Sequence, residues 1–256
     1  MRTTIRTATR ISGAVAGLAI GATILSGCAL LPAHGMGDET TLSDTTVTSV
    51  RIDDPTGSVS ISGETAATGI HIEREIKYWG AKRDIGPTYE VNGDELVLSG
   101  CGHRCTVEYS IELPAGVDVS GQTENGAIEL SEVNNVEVST SNGRIELEDV
   151  TGRVEVGTSN GRIEGSGLSG DGIIAKTSNG AIDLELATPQ DVRANTSNGA
   201  IILRVPAGDY EVVAETSNGG ENIDIASDPN GKFLLDLGTS NGSITVRDRA
   251  SSSDDD

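Results

Sequence analysis

The chain repeats one polar turn at a nearly constant interval, and this repeat limits the folds open to it. Thr-Ser-Asn-Gly occurs six times, and the variant Thr-Glu-Asn-Gly precedes these copies at residue 123. From threonine to threonine the steps are 17, 18, 19, 19, 20 and 23 residues. An interval near 19 is too short for a propeller blade of about 40 residues. It is long enough for two short strands and two turns.

Both sides of each turn carry the pattern of a strand. Segments such as "VEVS" before the turn and "RIEL" after it alternate apolar and polar residues. A period of two is typical of a half-buried strand. The sequence therefore predicts an all-β protein, with repeats over residues 117–248 and a β-rich N-terminal part over residues 46–116.

Two architectures fit the repeat. Asn-Gly between alternating strands favours a type I′ turn, which would produce an antiparallel hairpin meander. Alternatively, each unit is one coil of a parallel β-solenoid, or β-helix, of about seven short coils with the N-terminal part as a cap. We favour the solenoid because a hairpin turn does not explain why threonine and serine precede Asn-Gly six times.

Stacked coils would give every residue of the turn a role. Threonine hydroxyls and asparagine amides would form hydrogen-bonded ladders with a spacing of about 4.8 Å. Glycine would supply the corner backbone at low steric cost. The predicted corner asparagines are Asn125, Asn142, Asn160, Asn179, Asn198, Asn218 and Asn241.

The N-terminus carries an export signal. Three arginines precede an apolar stretch that ends in "LSGC" at Cys28, the order typical of a secretory signal peptide. "LSGC" resembles the lipobox of bacterial lipoproteins, which implies that residues 1–27 are removed and that Cys28 is lipidated. An ordinary secretory signal beside a chance cysteine is the alternative. Residues 28–45 show no periodicity and are interpreted as a tether.

The net charge of the chain argues against polyanions as partners. The whole chain has a net charge of −21. Removing residues 1–27 removes three arginines and no acids, which leaves 15 basic and 39 acidic residues and a net charge of −24. Such a surface repels nucleic acid and anionic lipid headgroups. An acidic tail, residues 249–256, ends the chain.

The remaining cysteines form the motif "CGHRC". In an exported protein, a disulfide between Cys101 and Cys105 is expected. The flanking segments are interpreted as two strands of a hairpin that this bond clamps. A metal site formed by Cys101, His103 and Cys105 is the alternative, although it lacks a fourth ligand.

Several of these features together resemble a known family. A lipobox, a linker, a β-rich start with a cysteine pair, "YSIELPAGVDV" and serial "TSNGxI" units are similar to the bacterial putative-adhesin family of β-strand repeats, a domain of unknown function. The resemblance covers roughly residues 45–247. It implies a β-helix-like protein exposed at the cell envelope, and it carries over no catalytic residues.

The sequence gives little support for catalysis. Its three histidines lie outside the repeats, and no cofactor-binding fingerprint is present. The acidic pair Glu146 and Glu148 would suit acid–base chemistry on a sugar, but it is explained more simply as a solvated strand face. We therefore predict a non-enzyme without a cofactor, acting as an adhesin-like binding or spacing module. The alternatives are an envelope-stress sensor that binds an antimicrobial or a wall fragment, and a carbohydrate-active β-helix enzyme.

One segment combines aromatic and basic residues in an otherwise acidic protein. Aromatic rings with basic neighbours can stack on sugars or hold anionic polymers, so a cell-wall glycan or an envelope protein is a candidate partner. The alternative is a capping loop whose tryptophan covers the open end of the solenoid. The candidate patch comprises Arg74, Lys77, Tyr78, Trp79, Lys82 and Arg83.

A column of carboxylates is a candidate cation site. In a solenoid the four side chains would stack about 5 Å apart, and Ca²⁺ would bridge them. The alternative is a column screened by water and salt. Arg144 and Arg162 are expected to relieve only part of the repulsion. The column comprises Glu129, Glu146, Glu164 and Asp183.

Overall fold

The fold is described from a computed structural model that covers residues 32–43, 45–53 and 56–250. The signal peptide, Cys28 and residues 251–256 lie outside these described residues, so the predictions made for them remain predictions. The described residues form twenty-one β-strands and no α-helix. Within them, no helix is long and apolar enough to cross a membrane.

Seven strands precede the repeats, and each repeat then contributes two. The first seven are β1 Ala33–Leu42, β2 Ser49–Asp53, β3 Val59–Glu64, β4 Ile70–Trp79, β5 Tyr89–Asn92, β6 Glu95–Ser99 and β7 Cys105–Pro114. The strands leading into each Asn-Gly are β8 Asp118–Asn125, β10 Val136–Asn142, β12 Val154–Asn160, β14 Ile173–Asn179, β16 Val192–Asn198, β18 Tyr210–Asn218 and β20 Phe233–Asn241. Those following it are β9 Ile128–Ser131, β11 Ile145–Glu148, β13 Ile163–Leu168, β15 Ile182–Leu186, β17 Ile201–Val205, β19 Glu221–Asp224 and β21 Ile244–Asp248.

The strands form two sheets that face each other. Sheet 1 has eleven strands in the order β1-β4-β7-β3-β9-β11-β13-β15-β17-β21-β19. Sheet 2 has ten strands in the order β18-β20-β16-β14-β12-β10-β8-β2-β6-β5. Each repeat therefore runs along sheet 2, turns at Asn-Gly and returns along sheet 1.

Pairing between repeats is parallel and in register. Thr140 lies opposite Thr158 in sheet 2, and Ile145 lies opposite Ile163 in sheet 1. The predicted parallel solenoid is confirmed, and the antiparallel meander is wrong. A type I′ turn needs positive φ at its asparagine, and among the described residues the only non-glycine residues with positive φ are Arg104, Glu132 and Asp149.

The core is the narrow space between the sheets. Val136, Val138 and Thr140 point inward from β10 and are buried, while Glu137 and Ser139 point outward. Valine, isoleucine and leucine dominate the buried positions throughout. Because two closely packed sheets leave room for branched aliphatic chains, each coil adds a layer to one continuous core.

The last two coils do not stack in sequence order. The β20–β21 coil lies between the β16–β17 and β18–β19 coils in both sheets. The spatial order of the coils therefore departs from their order in the sequence at this end. The 23-residue step before the last threonine provides residues 225–232, which return the chain to the skipped position.

The N-terminal part continues both sheets. β2 pairs with β8 and β3 pairs with β9, so the β2–β3 unit is a further coil, and the β6–β7 coil lies outside it. β4 and then β1 extend sheet 1 in antiparallel fashion, and β5 ends sheet 2. Residues 33–42, which the sequence assigns to an irregular tether, form β1, because the edge of β4 offers unpaired backbone groups.

Candidate functional site

Each corner threonine is bonded to the neighbouring coil. Thr158 Oγ1 donates a hydrogen bond to the carbonyl of Gly143 at 3.1 Å, and Thr177 Oγ1 does the same to Gly161 at 3.0 Å. All seven repeat threonines make this bond, and six of them are buried. A buried hydroxyl needs such a partner, which explains why threonine occupies the inward position.

The corner asparagines form one continuous ladder on the exposed side of the turn. Asn160 Nδ2 donates to Asn142 Oδ1 at 3.0 Å, and Asn179 Nδ2 donates to Asn160 Oδ1 at 3.0 Å. Six such links, of 3.0–3.1 Å, connect all seven asparagines in spatial order. The amide needs both its donor and its acceptor here, and an ionised aspartate of the same shape would supply only the acceptor.

The corner glycine is required by close approach rather than by a left-handed backbone. A Cβ on Gly161 would lie 1.8 Å from the carbonyl oxygen of Gly143. A Cβ on Gly143 or Gly180 would likewise lie within 2 Å of the carbonyl oxygen of the corner glycine in the neighbouring coil. Any side chain here would push the coils apart.

An eighth corner precedes the seven that the sequence displays. The Gly57 N–H donates to the carbonyl of Asn125 at 2.7 Å, and the Gly57 carbonyl accepts from Thr123 Oγ1 at 3.2 Å. Sequence reasoning missed this corner because Thr56 stands where the others have asparagine. The signal that would have found it is "GSVSI", which matches the "NGxI" pattern from its glycine onward.

A shallow groove runs along the outer face of sheet 2 beside the corner, and we call it the serine groove. Its volume is about 650 Å³, and the side chains that line it include Gln122, Ser139, Ser141, Ser159, Lys176 and Ser178. The outward residue of β12 at its floor is Gly157, where an added Cβ would make only ordinary contacts of 3.8 and 4.0 Å. Hydroxyl, amide and ammonium groups are thus presented in rows set by the strand spacing. No motif in the sequence indicates this site.

The predicted aromatic and basic patch is divided between two faces. Alternation along β4 buries Arg74 and Tyr78 and exposes Lys77 and Trp79. The prediction of one ligand patch is therefore wrong for Arg74 and Tyr78. Lys77 is held by Glu108, at 3.1 Å, and also lies near Glu75.

The buried Arg74 forms an ion pair with the half-buried Asp38 at the end of the solenoid. Its Nε and Nη2 donate to the two carboxylate oxygens of Asp38 at 2.6 and 2.7 Å, and its Nη1 donates to Thr88 Oγ1 at 2.9 Å. The hydrogen bond that Arg74 donates to Asp38 raises the pKa of the Arg74 guanidinium above its ordinary value, against the opposing effect of burial. This pair connects β1 to β4 and to the segment before β5.

Tyr78, rather than Trp79, is enclosed at this end. The Tyr78 ring stacks on His34 with a centroid separation of 4.9 Å, and its hydroxyl donates to the carbonyl of Arg83 at 3.3 Å. Trp79 is 43% exposed. The alternative in which the tryptophan caps the solenoid is therefore wrong, because the strand alternation turns that ring outward.

The disulfide lies at a corner and does not clamp a hairpin. Cys101 and Cys105 are bonded, with their Cα atoms 5.6 Å apart. β6 precedes the bond in sheet 2 and β7 follows it in sheet 1, so these strands do not pair. The hairpin prediction is wrong, because here the chain turns from one sheet to the other. With both sulfurs bonded, Cys101, His103 and Cys105 do not form a metal site.

The carboxylate column is in register, and three arginines pair with its four members. Arg144 pairs with both Glu129 and Glu146. Arg162 pairs with Glu164, and Arg204 pairs with Asp183. Arg144 and Arg162 thus reach three of the four carboxylates and relieve only part of the repulsion, as expected, while Arg204, which the sequence did not point to, reaches the fourth. Across residues 32–43, 45–53 and 56–250, no cluster of three or more His, Cys, Asp or Glu side chains is placed to hold a metal ion.

These features define a class: a two-sheeted parallel β-solenoid whose coils are joined by threonine–carbonyl bonds and an asparagine ladder. The family model described as Toastrack DUF4097 matches residues 102–256, more than half of the chain. The chain belongs to this family, a domain of unknown function. The resemblance to a family of β-strand repeats is confirmed.

Two solved structures are similar to the chain. A putative cell adhesion protein from Clostridium sporogenes is 14% identical, with a TM-score of 0.38, and the match covers 84% of this chain and 100% of that one. A putative adhesin from Bacteroides fragilis is 12% identical, with a TM-score of 0.42, covering 83% and 97%. No curated protein matches the chain.

Proposed function

We propose that the protein is an exported, lipid-anchored binding module on the extracytoplasmic face of the cell membrane, and that it is not an enzyme. "LSGC" after an apolar run supports cleavage and lipidation at Cys28. The ladders support a rigid body, since every coil is bonded to its neighbours through backbone and side chains. Such a body can hold a binding surface at a fixed distance from its anchor.

The serine groove is the single observation that carries the binding role. It spans strands β8 to β14, it is open along its length, and its side chains are mostly uncharged hydrogen-bonding groups. Lys176 is its one cation, while Asp53 and Glu124 lie at its N-terminal end. An extended, hydroxyl-rich polymer fits this chemistry, so the proposed ligand is a cell-wall glycan. This is adhesin-like binding without turnover.

A glycine substitution tests the groove without disturbing the fold. Gly157→Gln places a side chain across the groove floor, where the backbone has room for a Cβ. We expect purified, processed protein to bind wall glycan, and the variant to bind at least about tenfold more weakly, equivalent to roughly 1.4 kcal/mol. Sedimentation with purified wall sacculi measures the affinity.

A matched control lies on the opposite sheet. Glu148 is exposed on sheet 1, so Glu148→Gln changes a surface residue away from the groove and should leave binding unchanged. Equal binding by the wild type and Gly157→Gln would exclude the groove as the site. Release of soluble sugar from the sacculi would contradict the non-catalytic role.

A further inference from the structure

The start of the described chain is tied to one corner of the solenoid. The carbonyl of Pro32 accepts a hydrogen bond from the Gly80 N–H at 3.1 Å, and Ala33 pairs with Trp79 in sheet 1. His34 Nε2 lies 3.2 Å from the Gly80 carbonyl. The chain therefore enters the fold beside the exposed tryptophan, at the end formed by β1 and β4.

The proposed anchor is very close to this point. Three residues separate Cys28 from Pro32. Four steps of an extended chain span at most about 14 Å. If Cys28 carries its lipid, the corner beside Pro32 must therefore lie at the membrane surface.

Three exposed cations lie near this point, and together with Trp79 they form a cluster that we call the basic corner, comprising Trp79, Lys82, Arg83 and Arg104. The backbone N–H of Trp79 donates to the carbonyl of Arg104 at 3.1 Å, and Arg83 Nη2 donates to the carbonyl of His103 at 3.0 Å. None of the three cations forms a side-chain ion pair within the described part of the chain, whereas eight other arginine and lysine residues there do.

Chemistry identifies what such a corner binds. Lysine and arginine near an anionic leaflet each contribute about 1 kcal/mol of attraction, and tryptophan is enriched at the level of the lipid headgroups. Asp84 is the acidic group within the same loop, so the corner keeps a positive balance. The remainder of the strongly acidic chain is repelled by the same surface.

We propose that the basic corner docks on the anionic headgroups of the membrane that holds the lipid anchor, with Trp79 at the headgroup level. The inference rests on the proposed lipidation of Cys28. Docking here directs the stack of coils away from the bilayer. The overall charge predicts repulsion from such lipids, and the basic corner is the local exception that sets the orientation. From β1 to β19 sheet 1 has ten strand spacings, so its far edge lies roughly 48 Å from its docked edge.

Trp79 is the sole tryptophan of the sequence, so its fluorescence reports on this corner alone. The protein is expressed from its full gene, purified after processing, and reconstituted into vesicles of phosphatidylcholine with or without phosphatidylglycerol. We expect Trp79 emission to shift to shorter wavelength in the anionic vesicles and to be quenched there by brominated lipids. High salt should reverse the shift.

Charge variants separate docking from simple proximity. Lys82→Gln with Arg104→Gln should abolish the shift, because both side chains are exposed and neither forms an ion pair within the described chain. Arg153→Gln with Lys232→Gln removes two exposed cations far along the stack and should leave it unchanged. A shift that is equal in neutral vesicles, or that survives the first double variant, would refute headgroup recognition.

The inference and the proposed anchor fail in different ways. Mass spectrometry of the mature N-terminus shows whether Cys28 carries lipid, and an unlipidated cysteine would overturn the anchor. If the cysteine is lipidated and Trp79 is neither shifted nor quenched in anionic vesicles, docking is wrong although the anchor is right. A change in Trp79 emission on adding soluble wall glycan instead would make the corner a glycan site and overturn docking.

Discussion

Asn160 Nδ2 donates a hydrogen bond to Asn142 Oδ1 at 3.0 Å, and the same geometry recurs along the whole corner. Asn160 also accepts from Asn179, so it has a partner on each side. Asn218 is the terminal member and makes one link, to Asn241. A central asparagine therefore contributes two ladder bonds, and an asparagine at the end of the ladder contributes one.

Removing a central asparagine should cost about twice as much stability as removing the terminal one. Asn160→Ala loses two links and Asn218→Ala loses one, and each exposed link contributes roughly 0.5–1 kcal/mol. Urea unfolding of the two variants measures the difference. Equal losses would show that neighbours or water replace the missing amide.

Two glycines of one coil, four residues apart, should respond in opposite directions to alanine. Gly161→Ala forces a Cβ against the Gly143 carbonyl and should lower the free energy of unfolding by at least ~2 kcal/mol. Gly157→Ala meets only ordinary contacts and should raise it by up to about 1 kcal/mol, because glycine is unfavourable in a strand. Thermal unfolding compares them. A tolerated Gly161→Ala would mean that the coils can separate locally.

Tyr210 should make stability fall at high pH. Burial raises its pKa to about 12, and the hydroxyl donates to the Pro206 carbonyl at 3.0 Å. In the unfolded chain the group titrates near pH 10. The neutral phenol thus stabilises the fold fully below pH 10, and this contribution is lost as pH rises toward 12, by roughly 2 kcal/mol.

Tyr210→Phe isolates that contribution, because all other titrating groups are shared with the wild type. The difference in unfolding free energy between the two proteins should be constant below pH 9 and should shift in favour of the variant between about pH 10 and 12. Denaturant unfolding across this range measures it. Parallel curves would indicate that the phenol titrates normally.

The disulfide should stabilise the corner between the sheets. Cys101→Ser with Cys105→Ser should cost about 2 kcal/mol, because the closed loop is short. Hydrogen exchange should rise at the start of β7 and the end of β6 together, since the bond connects two sheets. Reductant should weaken the wild type by the same amount and leave the double variant unchanged. An effect confined to one sheet would contradict the corner placement.

The ion pair between Asp38 and the buried Arg74 should hold β1 in place. Asp38→Asn leaves the Arg74 guanidinium, 9% exposed, without its counter-ion, and should cost about 2–3 kcal/mol. Asp38→Asn with Arg74→Met should recover much of this loss, because no unpaired charge then remains buried. Limited proteolysis within β1 gives a local measure. Additive losses in the double variant would show that the pair itself contributes little.

The sequence predicts the repetitive part of the fold well because local pattern and stacking agree there. Alternation assigns each inward valine and isoleucine, and the recurring turn fixes the register of each coil against its neighbour. Threonine and asparagine ladders follow from that register alone. The parallel solenoid and its corner asparagines were therefore predictable from spacing.

The ends and the binding surfaces were not predictable, because they depend on which strands become neighbours. The last two coils stack in reverse order although their turns have the same Thr-Ser-Asn-Gly sequence as the four coils before them. In the sequence, only the 23-residue step between the last two threonines indicates this exchange. The serine groove forms where outward side chains of several strands happen to be small. Spacing along the chain does not show such neighbours.

By itself, the sequence determined the export signal pattern, the cysteine pair and the period of the coils, since each is a property of adjacent residues. Only the tertiary structure decided that Arg74 and Tyr78 are buried while Trp79 is exposed, and which arginines pair with the members of the carboxylate column. A strand hides alternate residues whatever their chemistry, so a basic and aromatic segment is divided between two faces. Charges likewise pair across strands that are adjacent in space, and these contacts exist only once the coils have stacked.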